Sequence, residues 1–480
     1  MRAVLAIVGA LFYAWVLIQS LPTAAARFGG GYWEAVLWIV LAIFAVLAAA
    51  AAVRRLGTRT FLVAIAAAGL GVRIAWVLWI DTPPVSDFKD MLDAAIRGAA
   101  GDFSFAGNEY FGRWAYLMGF TLYETVVVKL VGPSVLVLKL LNAAFSAATA
   151  LVVYRIGRSV FGETTGRIAA VLYAFYIPNV LMCSVLTNQH LSTLLFALGC
   201  WLLVFGRLRT RYGWLWIGLL FVAGQIIRPL GGFYAAGAVV YGLVVLLRRP
   251  GPISRRAILL RLAGLAAVYL IGMQLVSQAL IGAGFARYPL AAQEPYWKFM
   301  VGMNVQTTGG WSQEDTDYAL SYRLGSERDA AERTLLLERL RTVDVPALLW
   351  AKAKLLWGGE DASAYWSLFQ TPQADLQAPY IRAERVLYAA MAAFGVVGML
   401  ALWRRREEDE QGEMLLAMLL LGYAVIHLVI EIQTRYRLDM MPAFILLLSY
   451  GVRTTAVRCG RWKNQLFDWR RFSWKKSKSL

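Results

Sequence analysis

The stretch EAVLWIVLAIFAVLAAAAAV, residues 34–53, closed by Arg54-Arg55, decides the fold. Its only charge is Glu34, at its first position. At 1.5 Å per residue the run reaches about 30 Å, the thickness of a bilayer's hydrocarbon core. The arginines at its end mark a cytoplasmic boundary. Similar apolar runs lie at about 2–20, 60–80, 114–131, 134–154, 167–186, 190–206, 213–228, 231–247, 258–280, 382–403, 413–431 and 438–455. The chain therefore reads as an all-α polytopic membrane protein.

Composition supports this. Of 480 residues, 59% are hydrophobic and 16% charged, where soluble domains carry about 25% charged residues. Mean hydropathy is +0.56. The net charge is +18, but the basic residues are scattered over short loops, which argues against nucleic-acid binding. The tail from Arg470 to Lys478, interleaved with Trp469 and Trp474, suits anionic headgroups. There is no P-loop, GxGxxG or HExxH, which argues against an ATP-driven pump with its own nucleotide domain. Cys183 and Cys200 fall in apolar runs and Cys459 in the tail, with neither a disulfide framework nor zinc spacing. Arg2 with Thr23 to Ala26 imitates a signal peptide, but the spans that follow favour a retained first helix.

Charge sets the expected topology. Arginines cluster at 54–59, 155–167, 207–211, 248–261, 404–406 and in the tail, and the positive-inside rule places all six clusters in the cytoplasm. Loops 81–113, 187–189, 229–231, 281–380 and 432–437 are then extracytoplasmic, with the C-terminus inside. An odd number of crossings must separate 81–113 from 155–167, yet two apolar runs lie between them. One of 114–131 and 134–154 therefore stops short, and 114–131, with Glu124 and Lys129, is the better candidate. About 12 crossings are expected. The organisation reads as a transmembrane module over 1–280 with a catalytic loop at 81–113, a large loop at 281–380, C-terminal spans over 381–455, and a basic cytoplasmic tail at 456–480.

Candidate chemistry gathers in the outer loops. Pro83-Pro84 ends the third span. Asp87 to Ala100 then reads as an amphipathic helix capped by Ser86, with Phe88, Met91, Leu92 and Ile96 on its apolar side. Asp87 and Asp90 share a face, as capping residues or as a general base or cation ligand. Thr187-Asn188-Gln189-His190 is a polar break, read either as a turn or as a substrate contact. Arg228 lies on the face where arginine is disfavoured and wants an anion, or snorkels. Glu431-Ile432-Gln433-Thr434-Arg435-Tyr436-Arg437-Leu438-Asp439 puts two more arginines there. Arginine suits bidentate phosphate recognition, so a lipid phosphate or pyrophosphate is the natural ligand; an internal salt-bridge cluster is the alternative. The large loop carries Glu294-Pro295-Tyr296-Trp297-Lys298, Gly302-Met303-Asn304, Gly309-Gly310-Trp311, Asp315 and Trp357-Gly358-Gly359-Glu360-Asp361, suited to sugar stacking or to an interfacial belt. Residues 325–356 look helical.

With Ser86-Asp87-Phe88, Gly302-Met303-Asn304 through Gly310-Trp311 to Asp315, and Glu431, Gln433, Arg435-Tyr436 and Pro442, the chain resembles the GT-C superfamily of polyprenyl-phosphate-sugar-dependent membrane glycosyltransferases. It looks most like the bacterial branch similar to dolichyl-phosphate-mannose protein mannosyltransferases and lipid A aminoarabinose transferase. The resemblance implies a plasma (inner) membrane enzyme that moves a sugar from a polyprenyl-phosphate donor to an extracytoplasmic protein, glycan or lipid acceptor, in an inverting displacement. It implies Asp87, with Asp90 beside it, as base or metal ligand, and Arg435 and Arg437 at the donor phosphate; Arg228 is added from topology. Lys89, Asn188, Gln189, His190, Asn304, Trp311, Glu431, Gln433 and Tyr436 are the expected substrate contacts. No cofactor is implied beyond a divalent metal, whose involvement is left open. Protein mannosyltransferases usually have Asp-Glu in the first loop, whereas here Phe88 follows Asp87. The competing readings are a transporter or lipid flippase, for which Arg73 within the third span is the main feature, and a polymerase or ligase of lipid-linked glycans.

Overall fold

The computed structural model describes residues 1–248, 253–405 and 412–476, with side chains as far as Cys459. Arg249, Arg406 and the side chains of the tail arginines, lysines and tryptophans lie outside the described residues. Among the described residues every regular element is helical.

The first spans are α1 (Arg2–Ala26), α2 (Tyr32–Val53) and α3 (Thr58–Trp79). Three short helices follow: α4 (Asp87–Ala99), α5 (Glu109–Arg113) and α6 (Met118–Val131). Next come α7 (Val135–Phe161), the pair α8 (Glu163–Ala174) and α9 (Ile177–Leu181), α10 (Gln189–Val204), α11 (Gly213–Ile227), α12 (Gly231–Tyr241) and α13 (Arg255–Gly282). The large loop folds into α14 (Trp297–Gly302), α15 (Gln313–Leu320), α16 (Ser326–Thr342), α17 (Val345–Ala353) and α18 (Ser363–Leu368). The chain closes with α19 (Gln377–Trp403), α20 (Gly412–Val429) and α21 (Met441–Lys476).

Among the described residues eight helices are long and apolar enough to cross a bilayer, α8 with the segment that begins at α9 is an apolar pair bent by 56°, and α10 to α12 are shorter apolar helices. Contacts show that the bundle has two distinct ends. Arg167 donates to the carbonyls of Val53 and Leu56, at 2.9 and 2.6 Å. Arg405 reaches the Val160 carbonyl, Gly412 lies against Val160 and Val204, and Arg261 reaches the Leu208 carbonyl. The arginines at 54–59, 155–167, 207–211, 255–261 and 404–405 thus collect at one end. The opposite end holds the loops that start at 81, 187, 228, 281 and 430. There Thr82 bonds Ser184 and Ser367, and Gln189 bonds Asp439.

Between these ends α6 does not traverse. Its 14 residues span about 21 Å. Its Gly119 lies against the Ile226 carbonyl at the end of α11. Lys139, in the first turns of α7, pairs with Asp81 at 3.1 Å, so α7 starts where α3 finished. The run 114–131 is the one that stops short.

Helices approach closely where side chains are small, as bundles in lipid require. α19 packs against both α1 and α21. A Cβ on Gly395 would strike the Tyr13 ring, and one on Gly451 would come within 1.9 Å of the Phe394 carbonyl. The bend between α8 and α9 frees a carbonyl at Ala174, and Arg73 Nη1 takes it at 2.7 Å. The same guanidinium bonds Gly69 and Ser146. The intramembrane charge that suggested a transport path thus caps a broken helix.

Candidate active site

The site is built on the turn between α20 and α21. Its backbone is clamped to the large loop: Glu431 N donates to the Lys298 carbonyl at 2.7 Å, and Ile432 N to the Gly309 carbonyl at 2.9 Å. Lys352, fully buried, adds a staple by donating to the carbonyls of Gly302 and Ile430, at 2.7 and 2.8 Å. Burial lowers its pKa to about 8. The approach at Gly302 leaves no room for a side chain, since a Cβ there would lie 2.6 Å from the Val429 carbonyl.

On this frame four side chains form a hydrogen-bonded relay. Lys298 pairs with the buried Glu431 carboxylate, Gln433 Nε2 donates to Glu431 Oε1 at 3.1 Å, and Arg435 Nε donates to Gln433 Oε1 at 2.7 Å. Burial alone would raise Glu431, but the Lys298 ammonium and its hydrogen bond overcome it, and the carboxyl lies below its ordinary value. Lys298 is held above its ordinary value, burial being outweighed by the Glu431 charge.

Arg435 ends the relay in an aromatic frame. Its guanidinium carbon lies 5.2 Å from the Phe88 ring, 4.9 Å from Trp366 and 5.9 Å from Tyr436. Cation–π contacts of this kind hold a guanidinium without neutralising it. Among the described residues only its Nε donates a hydrogen bond, and it has no carboxylate within ion-pair distance. Phe88 is the neighbour of Asp87, so the ring that supports Arg435 brings the first-loop carboxylate into its field. Asp87 and Asp90 are both exposed, on one face of α4. The Asp90 carboxyl is raised from its ordinary value, through partial burial first and the Asp87 charge next. The Tyr110 hydroxyl is buried beside them. Burial, followed by Asp87, raises it well above the ordinary phenol value.

The other expected residues have different surroundings. Arg228 donates from Nε and Nη2 to Asp439, at 3.2 and 2.9 Å, and from Nη1 to Asn188 at 3.0 Å. Gln189 bonds Asp439 Oδ1 and the Arg435 carbonyl, and the Tyr423 hydroxyl adds a third partner to Asp439. These residues tie α10, α11 and α20 to the turn behind Arg435. Arg437 is fully buried, engaged by Asp361 at 3.3 Å and by the Gly359 carbonyl at 3.0 Å. Asn304 bonds Asp315, which Arg339 also grips, so both shape the loop that carries Gly309. Trp311 is 54% exposed and His190 only 4%. Lys89 points away and pairs with Asp93.

Two local expectations change. Ser86 occupies the cap position of α4 but makes no side-chain cap bond, and its φ is +51°. It is one of three non-glycine residues at positive φ among the described residues. Ile96 is 39% exposed, so the apolar face of α4 ends at Leu92 and Ala95. Lys298, Tyr110 and Trp366 were not singled out as site residues. For Lys298 the available signal was a lysine beside Trp297, six residues before Asn304.

Residues 118–277, a third of the chain, match the model of the dolichyl-phosphate-mannose-protein mannosyltransferase family. That stretch is thus similar to a glycosyltransferase family and lies within a multi-pass, all-helical membrane protein. It holds Asn188, Gln189 and Arg228, but not Asp87 or Arg435. No curated protein matches the chain.

Proposed function

We propose that the protein transfers a sugar from a polyprenyl-phosphate donor to an acceptor hydroxyl on the extracytoplasmic side of the plasma (inner) membrane, by inverting displacement. The observation that carries this is Arg435: a largely buried guanidinium, oriented by Gln433 and framed by rings, with two terminal nitrogens not hydrogen-bonded, in the field of the Asp87 carboxylate. Such a cation is suited to a phosphate oxygen. The acceptor oxygen bonds to the anomeric carbon while its proton passes to Asp87. The bond from that carbon to the lipid phosphate breaks, and Arg435, held in place by the carboxylate-paired Lys298 and Arg228 behind it, stabilises the charge gained by the leaving phosphate. Asp90 supports Asp87, and the buried Tyr110 hydroxyl lies near them. Asn188 and Gln189 act behind Arg228 and Arg435. Tyr436 and the exposed Trp311 are the residues offered to sugar or acceptor.

A divalent ion at Asp87 and Asp90 would find two carboxylates only, because no three His, Cys, Asp or Glu side chains gather among the described residues. Its remaining oxygens would come from the donor and water.

Mass spectrometry of lipid co-purified with the protein tests this reading. A polyprenyl phosphate is expected, with or without its sugar. Asp87→Asn is expected to retain the lipid and the fold while losing transfer by about a hundred- to ten-thousandfold. Full transfer by that variant sinks the role of Asp87, and absence of any polyprenyl lipid sinks the donor class.

A further inference from the structure

At the end of α10 and α11 remote from Asp87, a groove of about 510 Å³ opens between the two helices. Its walls are Leu202, Tyr212 and Trp216, and its rim carries Arg207 and Arg211. The turn that presents them is rigidly built. Gly206 takes φ +79°, Thr210 Oγ1 donates to the Arg207 carbonyl at 2.8 Å, and Trp214 Nε1 to the Arg211 carbonyl at 2.9 Å. Arg261 of α13 braces it through the Leu208 carbonyl at 3.3 Å. Gly213 closes the turn so tightly that a Cβ there would lie 1.8 Å from the Arg207 carbonyl.

Three observations identify the occupant. Arg207 and Arg211 are exposed and have no carboxylate partner among the described residues; each rests on a ring, Phe205 at 5.3 Å and Tyr212 at 5.1 Å. Tyr212, just before α11, and Trp216 within it are 54% and 60% exposed, and the remaining outer faces of α10 and α11 are apolar. The groove thus meets the membrane surface with a cationic rim and an apolar floor. We propose that it binds one anionic phospholipid, with the headgroup phosphate between Arg207 and Arg211 and the first acyl segment along Leu202 and Trp216. The same two helices carry Asn188 and Arg228 at their other ends, so the lipid would seat a helix pair that also frames the candidate active site.

Native mass spectrometry of the full chain, titrated with phosphatidylglycerol or phosphatidylcholine, tests the proposal. Wild-type protein is expected to retain phosphatidylglycerol preferentially. Arg207→Gln with Arg211→Gln is expected to lower that affinity by roughly tenfold or more, from the loss of two juxtamembrane charges. Arg207→Lys with Arg211→Lys should keep most of it, and Trp216→Ser should weaken it without touching the charge. Equal binding of the two lipids by wild type overturns the proposal, as does undiminished phosphatidylglycerol binding by the Gln pair. Displacement of phosphatidylglycerol by millimolar inorganic phosphate would mean a simple anion site and would also overturn it. If the Gln pair does not fold, the wild-type lipid preference and the Trp216→Ser variant decide.

Discussion

Arg435 and Arg437 are two positions apart and have opposite surroundings. The turn they share, Thr434 to Met440, is a 3₁₀ helix, in which a step of two residues rotates a side chain by about 240°. One guanidinium therefore reaches the frame of Phe88 and Trp366, while the other enters the core toward Asp361. The sequence pointed to both as phosphate ligands, since Arg-Tyr-Arg carries no mark of which arginine faces inward. Arg435→Ala is expected to weaken donor binding by ten- to a hundredfold, the scale of a lost charge-assisted hydrogen bond. Gln433→Ala, which only frees the Arg435 Nε, should cost about three- to tenfold in donor binding and leave acceptor KM unchanged. Donor and acceptor titrations on the purified variants separate these effects, and equal loss for both substrates would mean that Arg435 is structural.

At the scale of elements, α4 was legible because an amphipathic run after Pro83-Pro84 has little else to become. The expected helix over 325–356 is two helices, α16 and α17. Asp344 starts the second by accepting from Ala347 N at 3.1 Å, with Pro346 in the first turn. What sequence could not show is how α16 joins the first loop. Arg328 bonds both Glu109 and Glu294, and Arg113 bonds Glu294 from the other side. Glu332 lies fully buried beside them, and neither of its oxygens is hydrogen-bonded. Burial, then the Glu294 charge, pushes its pKa from 4.5 up to about 8. The folded state therefore holds this proton more tightly than the unfolded chain. The resulting stability is complete below about pH 4.5 and lost as pH rises through 8. Thermal midpoints measured from pH 5 to 8.5 should fall for the wild type, and Glu332→Gln should flatten that slope. An unchanged slope in the variant would show that other groups carry it.

For the whole molecule, charge placement pointed to a helical bundle of many spans, because arginine clusters mark loops and loops are visible in sequence; about 12 crossings were expected, and eight helices among the described residues are long and apolar enough to cross. It also found the helix that does not cross. It could not reach the convergence of Asp87, Lys298 and Arg435, which depends on where residues more than a hundred positions apart are clamped. Sidedness follows from the same charge argument and is measurable. In a Cys459→Ser background, with Cys183 and Cys200 buried, single cysteines replace the exposed Asp102 and Arg55. A membrane-impermeant maleimide should label position 102 in intact cells and position 55 only after permeabilisation. The reverse pattern would invert the topology.

The ring stacked nearest the Arg435 guanidinium has an optical consequence. An indole 4.9 Å from a fixed cation emits in that cation's electric field. Neutralising the cation changes the emission, so Trp366 is a reporter of occupancy that needs no attached dye. Against the other tryptophans among the chain's 18, it is isolated by difference. Titration with a sugar-free polyprenyl phosphate should change the emission spectrum in wild type, and Trp366→Phe should erase that change. Lipid binding could then be followed before its sugar or its acceptor is known.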